Sequence, residues 1–143
     1  MGSDAGPHCE VAQGGMKLLL DTHVWLWYLL GDPQLSRTHR TLMDDERNEL
    51  ILSAISVWEA HMLIERQRLP VTAAPEEWIR TALRTLQVRE AGITFAIALR
   101  SRAMVLEHQD PADRYIAATA AELKLPLLTA DERLLRCPDI RCL

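Results

Sequence analysis

Short apolar runs separated by longer stretches with helix signals make up the pattern of this chain from residue 16 onward. Three runs are too short for helices and suit buried strands: KLLL at 17–20, ELILS at 49–53 and LPLLT at 125–129. A further short strand is expected to start at Val88, and IRCL at 140–143 is expected to form an edge strand.

Helices are predicted between these strands, because capping residues and terminators bracket each stretch. Gly31 should end the helix of VWLWYLLG, while Ser36, Ser56 and Thr94 suit N-caps and Pro75 suits a first turn. The predicted helices cover 24–31, 37–47, 56–68, 75–86, 95–104 and a stretch from Asp110 to about Leu123. Strands that alternate with helices indicate an α/β fold with a mostly parallel sheet.

The composition is that of one ordinary globular domain, with 143 residues, 48% hydrophobic and 25% charged. The first fifteen residues (1–15) are predicted to form a flexible extension without a secretory apolar region, followed by one domain over 16–143. The three cysteines, Cys9, Cys137 and Cys142, form no CxxC motif and are typical of a reduced cytoplasm. No apolar run is long enough for a membrane span.

The net charge excludes a nucleic-acid footprint spread over the whole domain. Lys and Arg number 16 against 20 Asp and Glu, which leaves a formal charge of −4. Any contact with a polyanion must therefore come from a local basic patch or from a bound cation.

Acidic side chains follow the predicted strands at the points where those strands end. Ligands of open α/β sheets bind beyond the carboxyl ends of the strands, so we expect these residues to meet at one edge. The expected group comprises Asp21, Glu59, Asp113 and Asp131. Two like charges about 4 Å apart repel by around 4 kcal/mol at an effective dielectric of 20. A hard cation relieves this repulsion, and carboxylate oxygens without His or Cys favour Mg²⁺ or Mn²⁺.

Each acidic residue also has a purely structural interpretation. Asp21 could cap the next helix, and Ser56-x-x-Glu59 has the form of a capping box. Asp110 and Asp113 flank Pro111 at a helix start, and Asp131 could cap a short helix over ADERLL. The joint placement of four such features at strand ends is what favours a site.

Four segments in the same order resemble the PIN-domain ribonucleases, specifically the VapC toxins of type II toxin–antitoxin pairs. They are LLLDTH at 18–23, SAISVWE at 53–59, HQDPADRYIAATA at 108–120 and LLTADERL at 127–134. The resemblance covers essentially all of 16–143. It implies a three-layer α/β/α sandwich, metal-dependent endoribonuclease activity on single-stranded RNA and neutralisation by a cognate antitoxin protein.

The resemblance also assigns roles to individual residues. Asp21, Asp113 and Asp131 match the metal-binding aspartates, and Glu59 matches a glutamate that ligates the metal or orients the attacking water. Thr22, Ser56 and Thr129 stand where the family places supporting hydroxyls. Asp110 is assigned mainly to a cap.

Several further residues have a functional and a structural interpretation side by side. Arg114 could touch a phosphate or lie on a solvated helix face, and His23 and His108 could face the site, although packing at a helix start is favoured for His23. A local basic rim for RNA could be formed by Arg37, Arg40, Arg66, Arg68 and Arg133.

Two of the four tryptophans bear on interfaces. Trp25 and Trp27 are two residues apart on a predicted helix, so one should be core while the other could serve an interface or a base. An apolar groove between the early helices would suit an antitoxin segment, and it would equally suit a homodimer, which we also expect.

The sequence thus predicts a cytoplasmic, Mg²⁺- or Mn²⁺-dependent endoribonuclease toxin, with two alternatives. One is a phosphotransfer or phosphatase domain that uses Asp21, although His23 stands where a DxDxT motif needs its second aspartate. The other is a non-catalytic binding module in which the acidic residues serve only as caps.

Overall fold

The computed structural model describes residues 14–107 and 109–143. Most of the extension predicted over 1–15, and His108 with it, lies outside these described residues. No helix in the described ranges is long and apolar enough to cross a membrane.

Four parallel strands form the central sheet, in the order β3-β2-β1-β4. Strand β1 is Lys17–Leu20, β2 is Glu49–Ser53, β3 is Arg89–Ala91 and β4 is Leu127–Leu128. The pairing sets Leu20 level with Leu52 on one side and with Leu128 on the other. The three strand ends that precede the predicted acidic residues therefore lie side by side. The expected edge strand over 140–143 is reduced to a single parallel bridge between Cys142 and Leu127.

Seven helices connect and cover the strands in the described part of the chain. They are α1 Thr22–Leu30, α2 Arg37–Asp44, α3 Ala54–Glu65, α4 Pro75–Thr85, α5 Phe95–Ala103, α6 Pro111–Leu123 and α7 Glu132–Leu135. Gly31 ends α1 in the left-handed conformation (φ 64°), as its position in the sequence predicts.

Two separate apolar cores lie on the two faces of the sheet. Leu18 and Leu20 pack on one face with side chains from α1, α3 and α4. Leu19 and Ile51 pack on the other face with side chains from α5, α6 and α7. Neighbouring residues of β1 point to opposite faces, and both faces are covered, which explains why its apolar run is continuous. The three-layer α/β/α prediction is confirmed.

The start of α3 differs from the prediction. Ser53 is the N-cap, and its hydroxyl accepts a hydrogen bond from the Ile55 N–H at 3.1 Å, so the helix begins directly where β2 ends. Ser56 lies inside the helix, and the predicted capping box with Glu59 is wrong. The hydroxyl of Ser56 is instead the acceptor for Thr22, a residue distant in the chain.

Candidate metal-dependent active site

All four predicted carboxylates line one cleft of about 600 Å³ at the carboxyl edge of the sheet. Asp21 directly follows β1, Glu59 lies in α3 after β2, and Asp131 lies three residues after β4. Asp113 reaches the same cleft from the first turn of α6, and Asp110 lines it as well. The expected convergence of these residues at one sheet edge is what the structure shows.

Asp21 is the most deeply enclosed of these carboxylates, with 4% of its surface exposed. Its Oδ1 accepts from the Thr22 N–H at 2.8 Å, and its Oδ2 accepts from the Thr129 hydroxyl at 2.7 Å. Burial raises the pKa of Asp21, while these hydrogen bonds oppose the rise. Thr129 thus holds one oxygen of the Asp21 carboxylate in place.

Glu59 brings the second carboxylate into the cleft from α3, with 6% of its surface exposed. Its Oε1 is buried and has no hydrogen-bond partner among the described residues. Burial raises the pKa of Glu59, while a hydrogen bond from Thr22 and the charge of His23 lower it. The Thr22 hydroxyl also donates to the Ser56 hydroxyl at 2.8 Å, which ties α1 to α3 beside Glu59. A buried carboxylate oxygen without a donor is costly, and a cation would satisfy it.

Asp113 has a strongly raised pKa. Burial, followed by the charges of Asp21, Asp110 and Glu59, raises the pKa of Asp113 from 3.8 to about 8. A carboxyl group with this pKa holds its proton at neutral pH unless a positive charge is nearby. Strong perturbation of this kind is typical of functional sites.

Asp110 and Asp131 cap helices and also line the cleft. An oxygen of Asp110 accepts from the Ala112 N–H at 2.9 Å, and an oxygen of Asp131 accepts from the Arg133 N–H at 2.8 Å. Both are therefore helix N-caps, as the structural interpretation predicts, and both line the cleft. The Asp131 N–H donates to the Thr129 hydroxyl at 3.0 Å, so Thr129 connects Asp131 with Asp21.

The donor set of the cleft matches a hard divalent cation. Its ligand candidates are carboxylate and hydroxyl oxygens, which Mg²⁺ and Mn²⁺ prefer. Within the described ranges, no three His, Cys, Asp or Glu side chains already stand grouped as a metal site. The Glu59 oxygen without a partner and the raised pKa of Asp113 are both consistent with a site that can accept a positive charge. The side chains fit such an ion in chemistry, and side-chain movements would have to draw them around it.

His23, Trp27 and Arg68 line the same cleft. His23 is exposed and lines the cleft, so the packed position favoured for it at the helix start is wrong. Its ring contacts that of Trp27, with centroids 5.9 Å apart. Trp25 is fully buried, which confirms that only one of the two neighbouring tryptophans is core. The sequence contains a signal for this contact, because residues four apart on a helix, such as His23 and Trp27, lie on the same face.

Arg114 serves neither of the purposes predicted for it. Its guanidinium donates to the backbone carbonyls of Ser101 and Met104, both at 2.8 Å, and so holds the end of α5 against α6. Arg114 does not line the cleft, because its side chain extends toward the end of α5 instead. Among the five arginines of the predicted basic rim, Arg68 lines the cleft, while Arg40 lies over the ring of Tyr28.

Comparisons with known proteins agree with this arrangement. The family model described as PIN domain matches residues 18–139. The chain is 34% identical over 118 residues to the curated protein Ribonuclease VapC22 of Mycobacterium tuberculosis, a match that covers 82% of this chain and 88% of that protein.

Solved structures share the fold at lower identity. VapBC2 from Rickettsia felis, bound to a DNA fragment from its promoter, has a TM-score of 0.65 at 14% identity, covering 90% of this chain and 98% of that one. FitAcB from Neisseria gonorrhoeae has a TM-score of 0.63 at 24% identity, covering 87% and 95%. A toxin-antitoxin complex from Klebsiella pneumoniae has a TM-score of 0.61 at 23% identity, covering 86% and 94%.

Proposed function

We propose that this chain, which belongs to the PIN-domain family, is a metal-dependent endoribonuclease that acts as the toxin of a toxin–antitoxin pair. The observation that carries this proposal is the gathering of Asp21, Glu59, Asp113 and Asp131 in one cleft. The similarity to a ribonuclease over most of both chains supports the choice of substrate.

The proposed cofactor is Mg²⁺ or Mn²⁺, held by Asp21, Asp113 and Asp131. A bound divalent ion lowers the pKa of water and neutralises charge on a reacting phosphate. Two such ions would also offset the formal charge of −4 and reduce the repulsion between this acidic protein and RNA.

The side chains of the chain itself have separate tasks in this mechanism. Glu59 either ligates the ion or orients the attacking water, since its Oε1 is buried and open to a new partner. Thr129 holds the Asp21 carboxylate in place, and Thr22 with Ser56 fixes the start of α1 beside Glu59. Asp110 supports the start of α6, which carries Asp113.

The proposed partners are RNA, an antitoxin protein and a second copy of the chain. The solved relatives include VapBC and toxin–antitoxin complexes, which supports the antitoxin. The face that best suits a homodimer is on α5, where Phe95 and Leu99 lie one turn apart and are 92% and 74% exposed.

Cleavage assays on single-stranded RNA test the function directly. The purified chain should cut RNA internally with Mg²⁺ or Mn²⁺ and should stop when EDTA is added. Asp21→Asn should abolish cleavage while circular dichroism stays unchanged. RNA cleavage that survives both EDTA and Asp21→Asn would contradict the proposal. So would a well-folded chain that cuts no RNA with either ion.

A further inference from the structure

The wall of the cleft contributed by α1 is aromatic and aliphatic. His23, Trp27 and Leu30 follow one another at intervals of about one turn along the helix and all line the cleft. The rings of His23 and Trp27 are inclined by 49° and in contact. Leu63, one turn beyond Glu59 on α3, adds to the same surface. An apolar wall thus starts where the carboxylates end.

Trp27 is a fixed part of this wall. It is partly buried because it packs against the core beneath α1, yet it still lines the cleft. His23, which contacts it, is exposed. A helix-borne indole held by the core can offer a flat surface to a ligand at small entropic cost.

Arg68 is the only Arg or Lys that lines the cleft among the described residues. It makes no ion pair with any of them, whereas five other arginines do. Its position is fixed by the turn after α3, where Gln67 has φ 57° and the Arg68 N–H donates to the Leu63 carbonyl at 2.8 Å. An unpaired guanidinium beside an aromatic wall suits a phosphate next to a base.

We propose that Trp27, with His23 in contact, stacks on one unpaired base of the RNA next to the cleaved phosphate, while Arg68 contacts a neighbouring phosphate. This inference rests on the proposed function and adds the residues that would hold one nucleotide of the substrate. A base inside a duplex has both faces covered by its neighbours, so the subsite accepts only a nucleotide that has left a stack. The subsite therefore selects single-stranded RNA and holds it against the carboxylates.

The test combines a change in the protein with the loss of one base in the RNA. Binding of a short fluorescein-labelled polyuridine RNA is measured by anisotropy in the Asp113→Asn background, where cleavage does not interfere. A series of the same RNA, each with one abasic nucleotide at a different position, removes one base at a time from the ligand. Trp27→Leu keeps apolar packing, Trp27→Phe restores a ring, and Trp58→Leu is the matched control. Trp58 is 58% exposed on the neighbouring helix α3 and does not line the cleft.

Trp27→Leu should weaken binding of the intact RNA by about 5- to 150-fold, as expected for one lost stacking contact. It should have almost no effect on the RNA that is abasic at the stacked position. Trp27→Phe should recover most of the affinity, and Trp58→Leu should bind like the parent. Arg68→Gln should lower the slope of log K against log salt by about 0.7, which corresponds to one phosphate contact on a single strand.

An equal loss of affinity for intact and for every abasic RNA would reduce Trp27 to a packing residue and overturn the subsite. Unchanged RNA binding, combined with lost antitoxin binding, would assign the wall to the protein partner and overturn it as well. The dependence on a single base can hold even if the parent chain cuts no RNA, in which case only the proposed function fails. Conversely, cleavage without this dependence removes the subsite and leaves the nuclease intact.

Discussion

Two clefts at opposite ends of the same sheet are both rich in acidic residues, yet they differ in how deeply these residues are buried and in their charge partners. The cleft at the amino end is the larger, at about 860 Å³ against 600 Å³, and is lined by the loop from Asp44 to Glu49. There two of the acidic residues have arginine partners. Arg47 pairs with Asp45 at 2.9 Å, and Arg89 pairs with Glu49 at 2.6 Å.

The carboxyl-end cleft has the opposite electrostatics. Burial and mutual repulsion raise the pKa of Asp113 there, whereas hydrogen bonds from Arg47 lower the pKa of Asp45 at the other end. The number of acidic residues and the size of a cleft therefore do not identify a metal site. Carboxylates that are buried together, with raised pKa values, are the feature that is typical of functional sites.

The largest expected difference between the two clefts is in metal binding. Mg²⁺ or Mn²⁺ at a hundred times its dissociation constant should stabilise the chain by about 2.7 kcal/mol, measured as a rise in the unfolding midpoint. Asp113→Asn should remove most of this rise. Glu46→Gln, the same chemical change at the amino end, should leave it unchanged. An equal loss in both variants would mean that the ion binds diffusely.

The next largest effect concerns pH in the absence of metal. The pKa of Asp113 is 3.8 when unfolded and about 8 when folded, so its contribution to stability is full below about pH 4 and is lost as the pH rises through 8. Asp113→Asn should therefore stabilise the metal-free chain at about pH 8 by on the order of 1–2 kcal/mol, after allowance for solvent screening, and by less at about pH 5.

Urea unfolding with EDTA at these two pH values measures the difference. The pH dependence of stability from Asp45 should have the opposite sign. Its lowered pKa contributes stability that is present above pH 3.8 and is lost as the pH falls. A metal-free chain in which Asp113→Asn has the same effect at both pH values would contradict the raised pKa.

A smaller effect is expected from Thr129→Val, which removes the hydroxyl between Asp21 and Asp131. The isosteric change leaves a buried Asp21 oxygen without its donor, so the chain should lose about 1 kcal/mol of stability. Metal affinity should fall about tenfold, since an orienting hydrogen bond is lost. Thermal unfolding and metal titration check both values, and an unchanged metal affinity would show that Thr129 does not orient the ligand.

The smallest effect should come from Arg47→Ala at the amino end. Its ion pair with Asp45 is solvent-exposed, so stability should change little, and by less than in Thr129→Val. Denaturant midpoints at low salt can resolve such a change. A loss as large as that of Thr129→Val would mean that the two clefts differ less than their burial indicates.

Much of the fold follows from local sequence rules, because the buried strands are continuous apolar runs and the helix ends carry strong signals such as Gly31, Thr94 and Pro111. The start of α3 did not follow, since Ser53 and Ser56 both satisfy the capping rule. A contact with Thr22, 34 residues away, decides what Ser56 does. The role of Arg114 could not be predicted either, because it depends on how the last carbonyls of α5 are positioned relative to α6.

The site was predictable to a similar degree. The rule that ligands bind at the carboxyl ends of parallel strands was enough to bring Asp21, Glu59, Asp113 and Asp131 together. The capping roles of Asp110 and Asp131 were also predictable from local pattern, but no rule could show that one Glu59 oxygen lacks a partner or that Thr129 connects Asp131 with Asp21. These last two features depend on side-chain packing between elements, which no local pattern encodes.

The bond between Thr129 and Asp21 joins residues 108 positions apart. A ribosome adding 5–20 residues per second makes the aspartate about 5–20 s before the threonine that holds it. Until β4 has been synthesised and inserted beside β1, Asp21 lacks the hydroxyl that holds its carboxylate. An amino-terminal fragment of this polypeptide that stops before β4 should therefore lack an ordered cleft at the carboxyl edge of its sheet.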